Sequence, residues 1–149
     1  MPYWRLFYHL VWATKGRLVV LGGDLVRVVE RSVRSTAYDQ KAIVHAVGMM
    51  PDHVHVAVSL PPSVAVATSV GRLKGAASHA VNAATASTGF AWQTEYGALS
   101  FGEKALSDVI VYVLDQPSRH TSNRVLTSLE RHTDEQPPLG GTSDSARGL

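Results

Sequence analysis

The stretch KAIVHAVGMMPDHVHVAVSL, residues 41–60, decides the fold of this chain. Two apolar runs, Lys41–Met49 and His53–Leu60, flank the turn-forming tripeptide Met50-Pro51-Asp52, and this pattern predicts a β-hairpin. The dipeptide Pro61-Pro62 follows, and because proline cannot donate to a sheet ladder, we expect the second strand to end there.

Hydrophobic periodicity predicts two elements before this hairpin and one directly after it. Upstream, the aromatic and β-branched segment Tyr3–Thr14 is typical of a strand. Behind Asp24, a candidate N-cap, apolar residues recur at a spacing of three to four and predict a helix that ends at about Asp39. Downstream, Ser63 is the candidate cap of a second helix, whose many alanines would let it pack closely on a sheet.

The last third of the chain predicts a further strand and helix, followed by a tail. Gly89–Phe101 is interpreted as an extended segment, and Glu103–Gln116 as a third helix that Pro117 ends or kinks. Val125–His132 predicts a weak helical piece, and the Pro-, Gly- and Ser-rich residues 133–149 predict a disordered tail.

The predicted order of elements is β-α-β-β-α-β-α, within a single domain over residues 1–132. A split βαβ pattern of this kind is typical of the ferredoxin-like α+β fold, an antiparallel sheet with helices packed on it, here with an added C-terminal helix. Many unrelated functions share this fold, so the function has to be inferred from particular residues.

Composition excludes several classes of protein. Hydrophobic residues make up 45% of the 149 residues, which excludes disorder throughout, and the absence of cysteine excludes a disulfide scaffold and a thiol nucleophile. No apolar run approaches the roughly 18 residues that span a bilayer, and the N-terminus lacks a leader pattern, so we expect a cytoplasmic protein without a membrane segment. The first 92 residues carry nine basic and four acidic side chains, which suits a polyanionic partner or an ordinary solvated surface.

His53 and His55 are the sharpest candidates for chemistry. Side chains two apart on a strand share a face, so both imidazoles can converge on one divalent metal, although such pairs are more often unrelated structural histidines. Asp52 could orient His53, or it could serve only as a turn residue. Three further histidines have no partner at a useful spacing and are interpreted as structural: His9, His45 and His79.

Tyr112 and Gln116 lie four apart on the predicted third helix and therefore share a face. Tyr112 alone is typical of a boundary aromatic residue whose hydroxyl meets water, and Gln116 alone is typical of a polar helix end. Together they offer a hydroxyl that could become a nucleophile and an amide oxygen that could complete a metal site.

The two histidines, Tyr112 and Gln116 lie in two of five characteristic segments within about residues 3–120. The five segments are YHLVWATKGR (8–17), MPDHVHVAVSLPP (50–62), RLKG (72–75), WQTEYGALSF (92–101) and VIVYVLDQPSRH (109–120). In this order the segments resemble the TnpA-type single-tyrosine HUH transposases of bacterial insertion sequences, including the REP-associated tyrosine transposases. The pair His-x-His followed about 55 residues later by Tyr-x-x-x-Gln is much more specific than either part alone. The tripeptide Asp115-Gln116-Pro117 lies between the patterns of the two branches, so the branch stays open.

The resemblance implies metal-dependent cleavage and rejoining of single-stranded DNA with hairpin ends by a homodimer. It implies that His53, His55 and Gln116 hold Mg²⁺ or Mn²⁺. It also implies that Tyr112 is the nucleophile, which attacks a backbone phosphate, forms a 5′-phosphotyrosine and releases a 3′-hydroxyl. In this family another DNA 3′-hydroxyl later attacks the phosphotyrosine, so strands are exchanged without ATP.

Contacts to DNA are predicted from charge and aromatic character. The candidate contacts to phosphates are basic residues at a turn and on one stretch of helix: Lys15, Arg17, Arg72 and Lys74. Trp92 or Tyr96 could stack on bases, although core packing is favoured for Trp92.

Three other functions stay open. A domesticated or inactive relative would bind DNA hairpins without transposing. A ferredoxin-like RNA-binding module is disfavoured, because the chain lacks the signature K/R-G-F/Y-G/A-F-V-x-F/Y of such sheets. A simple metal hydrolase would turn over repeatedly without a tyrosine adduct.

Overall fold

A four-stranded antiparallel sheet forms the centre of residues 2–116, the part of the chain that the computed structural model describes. In the order in which they lie side by side, the strands are β2 (Ile43–Met50), β3 (His53–Ser59), β1 (Phe7–Ala13) and β4 (Gly97–Phe101). The helices are α1 (Asp24–Asp39), α2 (Val66–Thr85) and α3 (Leu106–Leu114), with short 3-10 turns at Lys15–Arg17 and Glu103–Ala105. The predicted order of elements and the ferredoxin-like α+β class are confirmed. The predictions for Val125–His132 and for the tail fall outside the described residues.

The predicted hairpin forms β2 and β3, which are joined at Pro51 and Asp52, with Met50 opposite His53. Strand β1 lies between β3 and β4 and is shorter than the predicted Tyr3–Thr14. The reason lies in the partner strand. Phe7 is opposite Ser59, the last residue of β3. Leu6 still accepts a hydrogen bond from Leu60 N–H (3.2 Å), but prolines occupy positions 61 and 62, so the residues before Leu6 have no further ladder to join on this side.

The two faces of the sheet carry different helices. On one face, α1 and α2 cover the larger core, whose sheet residues include Leu10, Trp12, Val54, Val56 and Val58. On the other face, α3 packs through Val109 and Val113 on Ala46 and Ala57. Because neighbouring residues of a strand point to opposite faces, the odd-numbered residues of β3, including both histidines, lie on the α3 side.

Two helix starts differ from the predicted caps. Asp24 is the first residue of α1, and the N-cap is Gly23, whose φ of 56° is a conformation that glycine reaches without strain. The second helix begins at Val66 rather than just after Ser63, because Val64 N–H donates to the carbonyl of Pro61 in a turn (3.1 Å) and the first helical bond reaches Ala65. No helix within residues 2–116 is long and apolar enough to cross a membrane.

Candidate active site

His53 and His55 project from β3 toward α3, and Val54 between them belongs to the opposite core. Both imidazoles are buried, with exposed fractions of 3% and 0%, and their ring centroids lie 5.0 Å apart. The strand thus brings the two predicted metal-binding side chains together in a site screened from bulk water, where charge interactions are stronger.

Asp52 and Arg17 fix the orientation of His53. Oδ1 of Asp52 lies 2.6 Å from Nδ1 of His53, and Oδ2 lies 3.1 Å from Nε of Arg17. Burial raises the pKa of Asp52, but the hydrogen bond from His53 and the charges of His53 and Arg17 outweigh it, so the pKa lies below its ordinary value. The carboxylate is therefore ionised at neutral pH and can only accept, so His53 donates through Nδ1; in the neutral imidazole the lone pair then lies on Nε2, the form that binds a metal.

Arg17 reaches Asp52 because of an unusual backbone turn. Gly16 and Arg17 both adopt left-handed conformations, with φ of 67° and 55°. For arginine this conformation costs of the order of 1 kcal/mol, and residues held in this way are concentrated at functional sites. The predicted phosphate contact Arg17 is thus engaged with the carboxylate that orients His53.

His9 joins the site from β1 and was missed at the level of sequence. Its Nε2 lies 2.9 Å from Nδ1 of His55, and the two rings stack with centroids 5.1 Å apart and an interplanar angle of 18°. The β1–β3 register places Val11 opposite His55, so His9 reaches it diagonally on the same face. The prediction that His9 has no partner is wrong, because strand register, which cannot be deduced from spacing, places it beside His55.

Tyr112 reaches the two histidines from α3, and Gln116 follows it one helical turn later. Tyr112 is 2% exposed, and its ring centroid lies 6.3 Å from that of His55 and 6.1 Å from that of His9, edge-on to both. The expectation of a boundary aromatic residue in water is therefore wrong. Gln116 is fully buried, and its Nε2 donates to the carbonyl of Tyr112 at 2.8 Å, so the metal-binding capacity of the amide lies in its oxygen.

Gly48 lets α3 approach the sheet closely enough to build this site. Gly48 lies on β2 opposite His55 of β3. The carbonyl oxygen of Val113 lies only 1.9 Å from where a Cβ at residue 48 would be. Only a residue without a side chain fits beneath the helix backbone here. The position of Tyr112, the neighbour of Val113, depends on this contact.

The two histidines would need a third ligand of another type, such as the amide of Gln116, to hold a divalent metal. Within residues 2–116, no three His, Cys, Asp or Glu side chains form a group that could hold a metal ion. Two imidazoles with an amide oxygen would be a mixed nitrogen–oxygen set, which suits Mn²⁺ better than Mg²⁺, a cation that prefers oxygen alone.

The other predicted DNA contacts divide into exposed and engaged side chains. Lys15 and Arg72 are exposed. The ammonium group of Lys74 donates to the carbonyls of three consecutive residues, Gln93, Thr94 and Glu95 (2.5, 3.2 and 3.2 Å).

Trp92 packs in the larger core, which agrees with the prediction that favoured core packing over stacking on bases. It is 8% exposed, stands edge-on to Trp12 with centroids 6.1 Å apart, and donates from its indole N–H to the carbonyl of Lys74 (2.9 Å). Lys74 and Trp92 therefore fasten the segment before β4 to α2. Tyr96, the other predicted stacking residue, is partly buried against the same core.

The chain belongs to the IS200-like transposases, because the family model described as "Transposase IS200 like" matches residues 2–116. The transposase TnpA of ISDra2 from Deinococcus radiodurans is 29% identical over 119 residues, 76% of this chain and 85% of that protein. The transposase for insertion sequence element IS200 from Salmonella typhimurium is 29% identical over 75 residues, 50% of this chain and 49% of that protein.

Solved structures agree with the family assignment. A crystal structure described as a transposase from Deinococcus radiodurans R1 has a TM-score of 0.62 and 25% identity, covering 83% of this chain and 95% of that one. A REP-associated tyrosine transposase bound to a REP hairpin also has a TM-score of 0.62, with 16% identity and coverage of 80% and 74%. At this identity, the second likeness concerns the fold alone.

Proposed function

We propose that this transposase cleaves and rejoins single-stranded DNA through a covalent bond to Tyr112. The tyrosine oxygen attacks a backbone phosphorus, the bond from phosphorus to the 3′ oxygen breaks, and the hydroxyl proton ends on that departing oxygen. A second 3′-hydroxyl then attacks the 5′-phosphotyrosine, which restores the tyrosine and the phosphodiester. The observation that carries the proposal is the burial of Tyr112 beside His55, with ring centroids 6.3 Å apart.

His53, His55 and Gln116 would hold Mg²⁺ or Mn²⁺ in this mechanism. The fit rests on the Asp52–His53 hydrogen bond, which leaves the lone pair of His53 on Nε2, and on the buried amide of Gln116. When bound, the cation supplies Lewis-acid stabilisation of the charge on the phosphate oxygens. The protein contributes the fixed orientation of the imidazoles and the exclusion of water, which would otherwise compete with the 3′-hydroxyl for the phosphotyrosine.

The proposed substrate is single-stranded DNA with hairpin ends. The support is the family membership of the chain and the likeness of its fold to a transposase bound to a REP hairpin. Lys15 and Arg72 are exposed and are the first candidates for phosphate contacts, since Arg17 and Lys74 also bond to protein groups.

We also propose a homodimer in which α3 takes part in the contact between subunits. The outer face of α3 presents Val111 and Leu114, which are 57% and 59% exposed, on the same helix as the buried Tyr112. Burying these side chains against a second subunit would remove apolar surface from water. Sedimentation equilibrium of the full chain should give the mass of two subunits, and Val111→Glu should shift the equilibrium toward one.

Covalent capture of DNA tests the mechanism. Oligonucleotides with candidate hairpin ends are incubated with Mn²⁺ or Mg²⁺, and the products are separated on a denaturing gel. A DNA-linked protein band is expected for the wild type, and its loss is expected in Tyr112→Phe and His53→Ala. Tyr112→Phe removes one oxygen and keeps the ring, so it separates the nucleophile from the packing.

Two results would redirect the proposal. Hairpin binding without an adduct under either metal would favour a domesticated relative that binds DNA without cutting it. Cleavage that survives in Tyr112→Phe would rule out the nucleophile and favour a metal hydrolase.

A further inference from the structure

The sheet places His9 directly against His55. It lies near the middle of β1, between β3 and β4, and is fully buried. The separation of 2.9 Å between its Nε2 and Nδ1 of His55 is that of a hydrogen bond, and the two ring planes are near parallel, at 18°.

One hydrogen atom between these two nitrogens decides what His55 can do. A neutral imidazole carries its hydrogen on one nitrogen and a lone pair on the other. If the shared hydrogen is on His55 Nδ1, the Nε2 of His55 carries a lone pair and can bind a metal. If it is on His9 Nε2, the hydrogen of His55 moves to its own Nε2, and His55 cannot bind a metal.

We propose that His9 is a positioning residue that accepts the hydrogen bond from His55 Nδ1 and so keeps Nε2 of His55 ready to bind the cation. This inference rests on the proposed function, in which His55 is a metal ligand. Asp52 does the same for His53 with an ionised carboxylate, so each imidazole has its own partner: one from the turn of the hairpin, the other from the neighbouring strand. Unlike Asp52, His9 can accept this hydrogen bond as a neutral group. Its ring also stands edge-on to that of Tyr112.

Two variants separate acceptance of the hydrogen bond from packing. His9→Phe keeps an aromatic ring but removes the acceptor, so the Nδ1–H of His55 loses its partner. His9→Gln carries an amide oxygen that can accept at about the position of the imidazole Nε2. His45→Phe is the matched control, since His45 is a strand histidine that bonds to Ser59 instead.

The test measures Mn²⁺ binding to the full chain without DNA, from the electron paramagnetic resonance signal of free Mn²⁺. His9→Phe is expected to weaken Mn²⁺ binding by about 10- to 100-fold, the usual effect of losing a partner behind a ligating histidine. His9→Gln is expected to stay within about threefold of the wild type, and His45→Phe to match it. Nitrogen NMR of the metal-free wild type is expected to find the hydrogen of His55 on Nδ1, and that of His9→Phe to find it on Nε2.

Three results would overturn the role of His9: wild-type Mn²⁺ affinity in His9→Phe, equal losses in the Phe and Gln variants, or a hydrogen on Nε2 of His55 in the wild type. If the wild type itself binds no Mn²⁺, the proposed metal site fails. The NMR measurement on the metal-free wild type still decides the role of His9, and it needs no variant to fold.

Discussion

Replacing Gly48 by alanine is expected to disable the site while leaving the larger core folded. The added methyl carbon would lie 1.9 Å from the carbonyl oxygen of Val113 and 2.9 Å from its carbonyl carbon. Both atoms are helix backbone, so no side-chain rotation can make room for the methyl group. An ordinary carbon–oxygen contact is about 3.3 Å, and α3 must therefore move away from β2 by about 1.4 Å.

This displacement carries Tyr112 with it, because Tyr112 is the residue before Val113 in the same helix. A misplacement of about 1 Å at a reacting group costs about 100-fold in rate, and overpacking costs roughly 1–3 kcal/mol of stability. We therefore expect adduct formation to slow by at least about 100-fold. The free energy of unfolding should fall by no more than a few kcal/mol, since α1 and α2 cover the other face.

The rate of adduct formation with a hairpin oligonucleotide and the unfolding transition in urea measure the two effects. Gly102→Ala is the matched control, because Gly102 has a φ of −84° and no atom within 4 Å of the added methyl, and it also lies just before the helical segment that carries Tyr112. Near-wild-type adduct formation in Gly48→Ala, or an equal loss in Gly102→Ala, would refute the dependence of the site on this close approach.

Three further predictions concern charge and titration. Lys15→Ala and Arg72→Ala should each weaken binding to single-stranded DNA and reduce the slope of log affinity against log salt by about 0.7, measured by fluorescence anisotropy, whereas Lys104→Ala should change the slope less. Burial, and to a lesser extent the charge of Arg5, lowers the pKa of His45. Below the ordinary imidazole value of about 6.5 the unfolded chain then binds more protons, so His45 contributes stability that is present above that pH and is lost as the pH falls through it. His45→Gln should consequently lose less stability than the wild type between pH 7.5 and 5.5 in urea titrations at about one-unit steps. Lys74→Met keeps the apolar stem but loses three bonds to carbonyls, and urea unfolding at neutral pH should register a loss of about 1–3 kcal/mol.

The fold could be predicted where local chemistry decides it. The hairpin turn at Pro51 and Asp52 and the helix Asp24–Asp39 follow from turn residues and from periodicity, and both are observed. The extent of β1 could not be predicted, because a strand ends where its partner ends, and that partner lies about 50 residues away. The predicted start of α2 was wrong for a related reason. Val64 N–H bonds to the carbonyl of Pro61 in a turn, so the residues just after Ser63 are not yet helical.

The candidate site likewise has a part that the sequence predicts and a part that it does not. His53 and His55 share a face because they are two apart on one strand, and Tyr112 and Gln116 share a helix face because they are four apart, so spacing predicts each pair. The partners of these residues come from register and from turns: His9 from the neighbouring strand, and Arg17 from a left-handed turn. Neither contact has a signature in the spacing of the sequence.

The division of the sheet into two faces affects how copies of such a gene decay. The residues that hold α1 and α2 on the sheet, such as Leu10, Trp12 and Val56, lie on the opposite face from the histidines and Tyr112. Damaging mutations therefore fall into two groups, those that disrupt the larger core and those that alter the α3 face, where the proposed chemistry lies and where the packed cluster is smaller. Under the proposed function, a mutation of the second group would stop cleavage and leave the larger core in place, so the product would be a folded protein that binds DNA without cutting it.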